Sequence, residues 1–155
     1  PQGNLDQKVA TDFPEETDGA IVLGVYPDMG DDVWADYRSA LEDNGVIDST
    51  EIDWNSLGGL GTWAAFVAFT QIVEGIDGDI TNETFLDAAS KASSIDTGGL
   101  VPTLDFTTEW DGGGGQFPRI FNRNIYVSGI KDGKMIPLPD IEPIDVTKPF
   151  DGEPA

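Results

Sequence analysis

Residues 20–26 read Ala20-Ile21-Val22-Leu23-Gly24-Val25-Tyr26, an apolar run rich in β-branched residues that Pro27 stops. A short run that is apolar throughout predicts a strand buried on both faces, as a parallel sheet requires. The next segment has helical signals. Asp28 to Asp32 form a turn and an acidic helix start, where the helix dipole is positive. Val33, Trp34, Tyr37 and Leu41 then fall on one stripe, and Asn44-Gly45 supplies a C-cap signal. After a loop over 46–56, Ser56 is placed to cap a second helix from about Leu57 to Glu74, which Gly75 ends. Trp63, Phe66, Val67, Phe69, Ile72 and Val73 cover more than one of its faces, so deep burial is expected. A third helix starts at Thr81, with Ile80 positioned to staple against Phe85, and runs through Leu86, Ala89 and Ala92.

Beyond Gly98-Gly99 the pattern becomes extended. Leu100 to Thr107 alternates loosely through Val101, Leu104 and Phe106, which predicts a strand. Gly112 to Gly115 hold no regular element cheaply. Phe121 to Ile130 and Lys134 to Leu138 flank Lys131-Asp132-Gly133, a strong hairpin signal because an Asp-Gly pair accepts positive φ. The polar stretch 1–18, with Phe13-Pro14-Glu15-Glu16, reads as loop or boundary. The proline-rich acidic stretch 139–155 reads as an extended or disordered tail. The organisation is therefore a boundary segment (1–18), a folded body (19–138) and a tail (139–155). Strand, three helices, then strands gives an α/β fold with an incomplete sheet. The missing neighbours of the first strand are expected outside this segment or on a second copy, and the exposed edge invites self-association.

Charge narrows the function. Twenty-nine acidic residues against 8 basic ones give a net charge of −21, which repels phosphate backbones and anionic lipid alike. Nucleic-acid binding is excluded, and the acidity fits solubility in an extracellular or salty setting. Cysteine and histidine are both absent, which removes zinc–thiolate and thiol chemistry together with the commonest general base. The apolar stretch from Leu57 to Ile76 carries Thr62, Thr70, Gln71 and Glu74, so it reads as a buried helix and not a membrane span. The opening Pro1-Gln2-Gly3, without Met and without a basic-then-apolar leader, suggests a processed or excised product.

Tests for chemistry nominate little. Asp77, Asp79 and Thr81 alternate like the start of a calcium loop, but the required glycine is Asn82 and the twelfth position is Ala88. They read as a turn plus a helix cap, and Asp28, Asp31 and Asp32 as a helix start. The glycine run lacks a following Lys-Ser/Thr and is no phosphate loop. Serine hydrolysis has neither a nucleophile elbow nor a histidine. No metal, cofactor or enzymatic activity is expected.

Three landmarks carry a family resemblance. The first is Asp18-Gly19-Ala20-Ile21-Val22-Leu23-Gly24-Val25-Tyr26-Pro27, the second Gly61-Thr62-Trp63-Ala64-Ala65-Phe66. The third is Phe121-Asn122-Arg123-Asn124-Ile125-Tyr126-Val127-Ser128-Gly129-Ile130-Lys131-Asp132-Gly133-Lys134-Met135-Ile136-Pro137-Leu138. In order and spacing they resemble the C-terminal part of type I extracytoplasmic solute-binding proteins of the leucine/isoleucine/valine-binding kind. The glycine run departs from that pattern as a loop insertion. The resemblance implies part of one lobe of a type I periplasmic-binding-protein fold, in a whole protein more than twice this length. It implies capture of a small ligand, an amino acid or similar, by closure of two hinged lobes, and delivery to an ABC permease. It also places the loop before the second helix toward the cleft, making Trp54, Asn55, Ser56, Leu57 and Gly58 candidate ligand contacts. The alternatives are a sensing or interaction domain without a permease, and a carboxylate-dependent hydrolase, which needs only two acidic side chains.

Overall fold

A computed structural model describes residues 3–49, 51–138 and 140–153. The chain is mixed α/β and divides into two compact units. Residues 1–63 and 125–144 form the first, residues 64–124 and 145–155 the second.

In the first unit, the opening stretch read as loop instead carries two short helices, α1 (Gln7–Asp12) and α2 (Pro14–Thr17). Asp6 caps α1 by accepting from Val9 N at 2.9 Å, and Pro14 occupies the N1 position of α2, where its missing N–H costs nothing. Strand β1 (Ile21–Gly24) comes next. Its neighbour lies in the same chain and runs antiparallel: Ile21 faces Gly129 and Gly24 faces Tyr126 on β2 (Asn124–Lys131). This corrects the expectation of a parallel sheet with absent neighbours. Only one face of β1 is covered, with Val22 at 1% exposure while Ile21 stands at 61%. An antiparallel sheet can leave one face to solvent, and the apolar run concealed that alternation.

The hairpin forms as its sequence predicts. β2 turns into β3 (Lys134–Pro137) through Asp132 and Gly133, both at positive φ (51° and 74°). Such a pair matches the twist of the flanking strands. Gln7 clamps the hairpin, donating from Nε2 to Gly133 O at 2.9 Å and accepting from Met135 N at 3.0 Å. Ala10, Val22 and Ile130 make the core beneath, with Leu5, Ala20 and Met135 packed against it. A two-residue strand, β4 (Ile144–Asp145), also pairs with β2, so the sheet is small, open and four-stranded.

After β1 a 3-10 turn (Asp32–Trp34), capped by Asp31 accepting from Val33 N at 3.1 Å, leads into α3 (Ala35–Asp43). The expected stripe is largely inward: Trp34, Tyr37 and Leu41 are buried, and Gly45 closes the helix at φ 64°. Trp34 is wholly enclosed and gives its indole N–H to Pro27 O at 3.2 Å. Rings of Tyr26, Trp34, Tyr37 and Trp63 succeed one another at centroid spacings of 6.0, 5.8 and 5.2 Å, within the range of favourable edge and offset contacts.

Helix α4 (Leu57–Glu74) starts in the first unit and continues in the second. Its buried stripe is Leu60, Ala64, Ala68 and Ile72, every fourth residue. The deep burial expected for its aromatic side chains is not found, since Phe66 is 62% and Phe69 43% exposed. In the second unit α5 (Asn82–Lys91) starts behind Thr81, whose hydroxyl accepts from Thr84 N while Thr84 Oγ1 accepts from Thr81 N. Ala68, Ile72 and Ile95 form the core there, with Phe85, Ala88, Ala89, Ala92, Leu104 and Phe106 against it. The strand expected over Leu100–Thr107 shrinks to a single bridge between Ile95 and Leu104. The stretch read as a disordered tail contains β4 and a helical turn, α6 (Thr147–Phe150).

Candidate functional site

Of the five residues nominated by sequence, Trp54 and Ser56 hold local structure in the first unit. Trp54 donates its indole N–H to Ile47 O at 2.9 Å, and its carbonyl accepts from the Tyr37 hydroxyl at 2.8 Å. Ser56 caps α4 by accepting from Gly59 N at 3.2 Å while donating to Asp53 O. Leu57 and Gly58 are exposed on the first turn of α4. Asn55 lines a small pocket with Asp6, Gln7, Asp28, Met29 and Met135, whose space of about 10 Å³ matches a single water. Burial pushes the Asp28 carboxyl there above its ordinary value.

A roomier site lies in the second unit. An open cleft of about 400 Å³ is lined by Asp105, Trp110, Phe121, Arg123, Asp145 and Thr147, among others, a size suited to a small solute. One of its lining residues is Arg123, just before β2. The guanidinium donates from Nε to Thr147 Oγ1 at 2.9 Å and from Nη1 to Ile120 O at 2.8 Å. It also lies 5.5 Å from the centre of the Trp110 ring, a cation–π distance. Trp110 is fixed in turn by its edge contact with Phe150 at 5.8 Å and by donating its backbone N–H to Pro118 O. That bond closes the glycine excursion. A Cβ on Gly112 would run into both Trp110 and Asp151, so only glycine fits there.

Four carboxylates, Asp105, Glu109, Asp111 and Asp145, line the cleft, and two of them sit in Asp-x-Thr turns. Asp105 Oδ1 accepts from Thr107 N at 2.8 Å and Thr107 Oγ1 at 2.6 Å, and Asp145 Oδ1 does the same with Thr147 at 2.8 and 2.6 Å. The Thr107 hydroxyl and amide hold the Asp105 carboxyl below its ordinary value. The Thr147 hydroxyl and amide, helped by the charges of Arg123 and Lys148, do so for Asp145. Both are therefore anions at neutral pH and unsuited to donate a proton there. Thr147 ties the two signs together, since its hydroxyl accepts from Arg123 and donates to Asp145.

Sequence reading missed this cleft. Its one legible signal was the repeated Asp-x-Thr, at 105–107 and 145–147, a local turn chemistry. The pairing of Arg123 with Thr147 spans 24 residues and has no sequence signature. Among the described residues, no group of three or more acidic side chains gathers to hold a metal ion, and no helix is long and apolar enough to cross a membrane. Comparison of the chain with protein-family models, with curated proteins and with solved structures finds no match in any of the three.

Proposed function

We propose that the chain is a non-covalent binding module for a small zwitterionic solute, an amino acid or close analogue, held in the cleft around Arg123. The observation that carries this is that one oriented guanidinium and two aromatic rings share a space of about 400 Å³ with the carboxylates of Asp105 and Asp145, which Glu109 and Asp111 also line. A ligand carboxylate matches the guanidinium edge, where bidentate or charge-assisted bonds are strongest. A ligand ammonium matches Asp105 and Asp145, and Trp110 and Phe121 offer an apolar wall to its side chain.

In the wider setting we assign the chain to the C-terminal portion of an extracytoplasmic solute-binding protein that serves an ABC permease. The order and spacing of the three sequence landmarks support this reading. The acidity suits an extracytoplasmic surface. In the whole protein, ligand would favour the closed arrangement of lobes by binding it more tightly.

The test is a thermal-shift panel of neutral amino acids, their decarboxylated amines and their N-acetyl derivatives, on the native chain and on Arg123→Gln. A true ligand at a hundred times its dissociation constant stabilises by about 2.7 kcal/mol. Response to the zwitterion alone, lost in Arg123→Gln, is the expected result. A response that survives in the variant, or no response to any amino acid, refutes the assignment.

A further inference from the structure

Helices α4 and α5 leave an open groove between them in the second unit, with a space of about 670 Å³. Ala88 and Ala89 of α5, and Ala92 just after it, pack toward the core, and Ala88 and Ala92 also line the groove. Ile72, Ile76 and Ile95 complete an apolar floor. Gln71 shuts one end by a paired contact, bonding the backbone N–H and C=O of Asp96.

The rim is acidic. Asp77, Glu83 and Asp87 stand along it, and its one cation among the described residues, Lys91, is bonded to Asp87 at 2.7 Å. An apolar floor inside an acidic rim is complementary to one kind of occupant. We propose that this groove receives a basic amphipathic helix from a partner protein, with its apolar face on Ile76, Ala88 and Ala92 and its lysines or arginines against the rim. A second copy of this chain is a poor occupant because each carries −21, and like charges oppose that approach. Anionic lipid is repelled for the same reason. From Glu83 to Lys91 the groove runs about 12 Å at 1.5 Å per residue, two to three turns of a docked helix. The proposal stands on this groove alone and does not depend on the Arg123 cleft.

Three synthetic peptides of about three turns test it by fluorescence anisotropy on the full chain. One places leucines at i, i+3, i+4 and i+7 with lysines elsewhere, one scrambles the same composition so that no face exists, and one replaces lysine by glutamate. The first should bind at least about tenfold more tightly than the others, and its affinity should fall with salt. Reversing the two exposed rim charges, Asp77→Lys with Glu83→Lys, should weaken it about tenfold, with the circular-dichroism spectrum unchanged. Amide shifts on titration should concentrate in residues 71–95. Equal binding of the scrambled peptide overturns the proposal, as do shifts mapping elsewhere, or sedimentation showing a dimer that the double variant dissociates.

Discussion

Two adjacent glycines on the first turn of α4 should answer the same substitution with opposite signs. At Gly59 an added Cβ would run into the Trp54 carbonyl oxygen, lie 2.9 Å from its carbon and stand 3.1 Å from the Tyr37 hydroxyl. The obstacle is mainly backbone, which cannot swing aside as a side-chain tip can. Overpacking of this kind costs about 1–3 kcal/mol. Displacing the Trp54 carbonyl also weakens the bond it accepts from Tyr37 at 2.8 Å, about 1 kcal/mol more. Alanine returns up to about 1 kcal/mol through helix propensity, so Gly59→Ala should lose about 1–3 kcal/mol net. At Gly58 the nearest atom to the added Cβ is Ser56 Oγ at 3.6 Å, an ordinary contact, so only the propensity gain remains. Gly58→Ala should gain a few tenths to about 1 kcal/mol. For a chain of this size 1 kcal/mol moves the melting midpoint by about 2–4 °C, which calorimetry or urea titration of both variants resolves. In a Tyr37→Phe background part of the Gly59→Ala penalty should vanish, because the lost hydrogen bond is already gone. Equal shifts of the same sign for the two alanines would show that Trp54 and Tyr37 do not press on α4.

Trp34→Ala should cost about 3–5 kcal/mol, because it empties a fully enclosed site and frees Pro27 O from its indole donor; a loss below about 1 kcal/mol in urea titration would contradict that burial. Asp28→Asn should stabilise the chain at pH 7, since burial raises the Asp28 carboxyl above its ordinary 3.8 and the amide oxygen can still accept from Gly30 N. A raised folded-state value means that folding disfavours the ionised form. The gain should therefore be full above the folded value, shrink as pH falls through it, and vanish below 3.8. Asp48→Asn, on an exposed turn, serves as the control for simple charge removal. Added sodium chloride should raise the melting midpoint of the native chain, since screening relieves the repulsion within a net charge of −21; a flat midpoint between low and high salt would argue that the charges are already well dispersed.

What the sequence disclosed was what local chemistry decides. The Asp132-Gly133 turn, the Thr81 cap and the Trp34-Tyr37-Leu41 stripe each depend on residues within a few positions of one another. What it concealed depended on distant partners. Ile21 and Leu23 are as apolar as Val22, and it is Ala10 of α1 with Ile130 of β2, packed on one face of the strand, that encloses Val22 alone. On α4 the large rings point the reading outward to Phe66 and Phe69, while the buried stripe uses alanines, whose small size says little about direction. α1 escapes notice because Gln7 to Asp12 has one short apolar side that matters, Ala10. The Arg123 cleft is hidden for the same reason, being assembled from a loop, a strand end and a helical turn.

The first unit is discontinuous along the chain, and this sets an order of events during synthesis. Gln7 and Met135, which bond each other in the finished sheet, are 128 residues apart, so the N-terminal helices and β1 leave the ribosome well before the hairpin that completes them. The intervening segment, the rest of the first unit's opening stretch and then residues 64–124 of the second, is made in the meantime and must fold or wait without disturbing them. Closing a loop of that length adds little to the equilibrium cost, since the penalty grows only with the logarithm of length. It falls on the rate instead, because contacts of such high sequence separation form late. Until then the apolar edge of β1 stands unpaired, so the nascent chain is most exposed to aggregation while residues 64–124 are emerging.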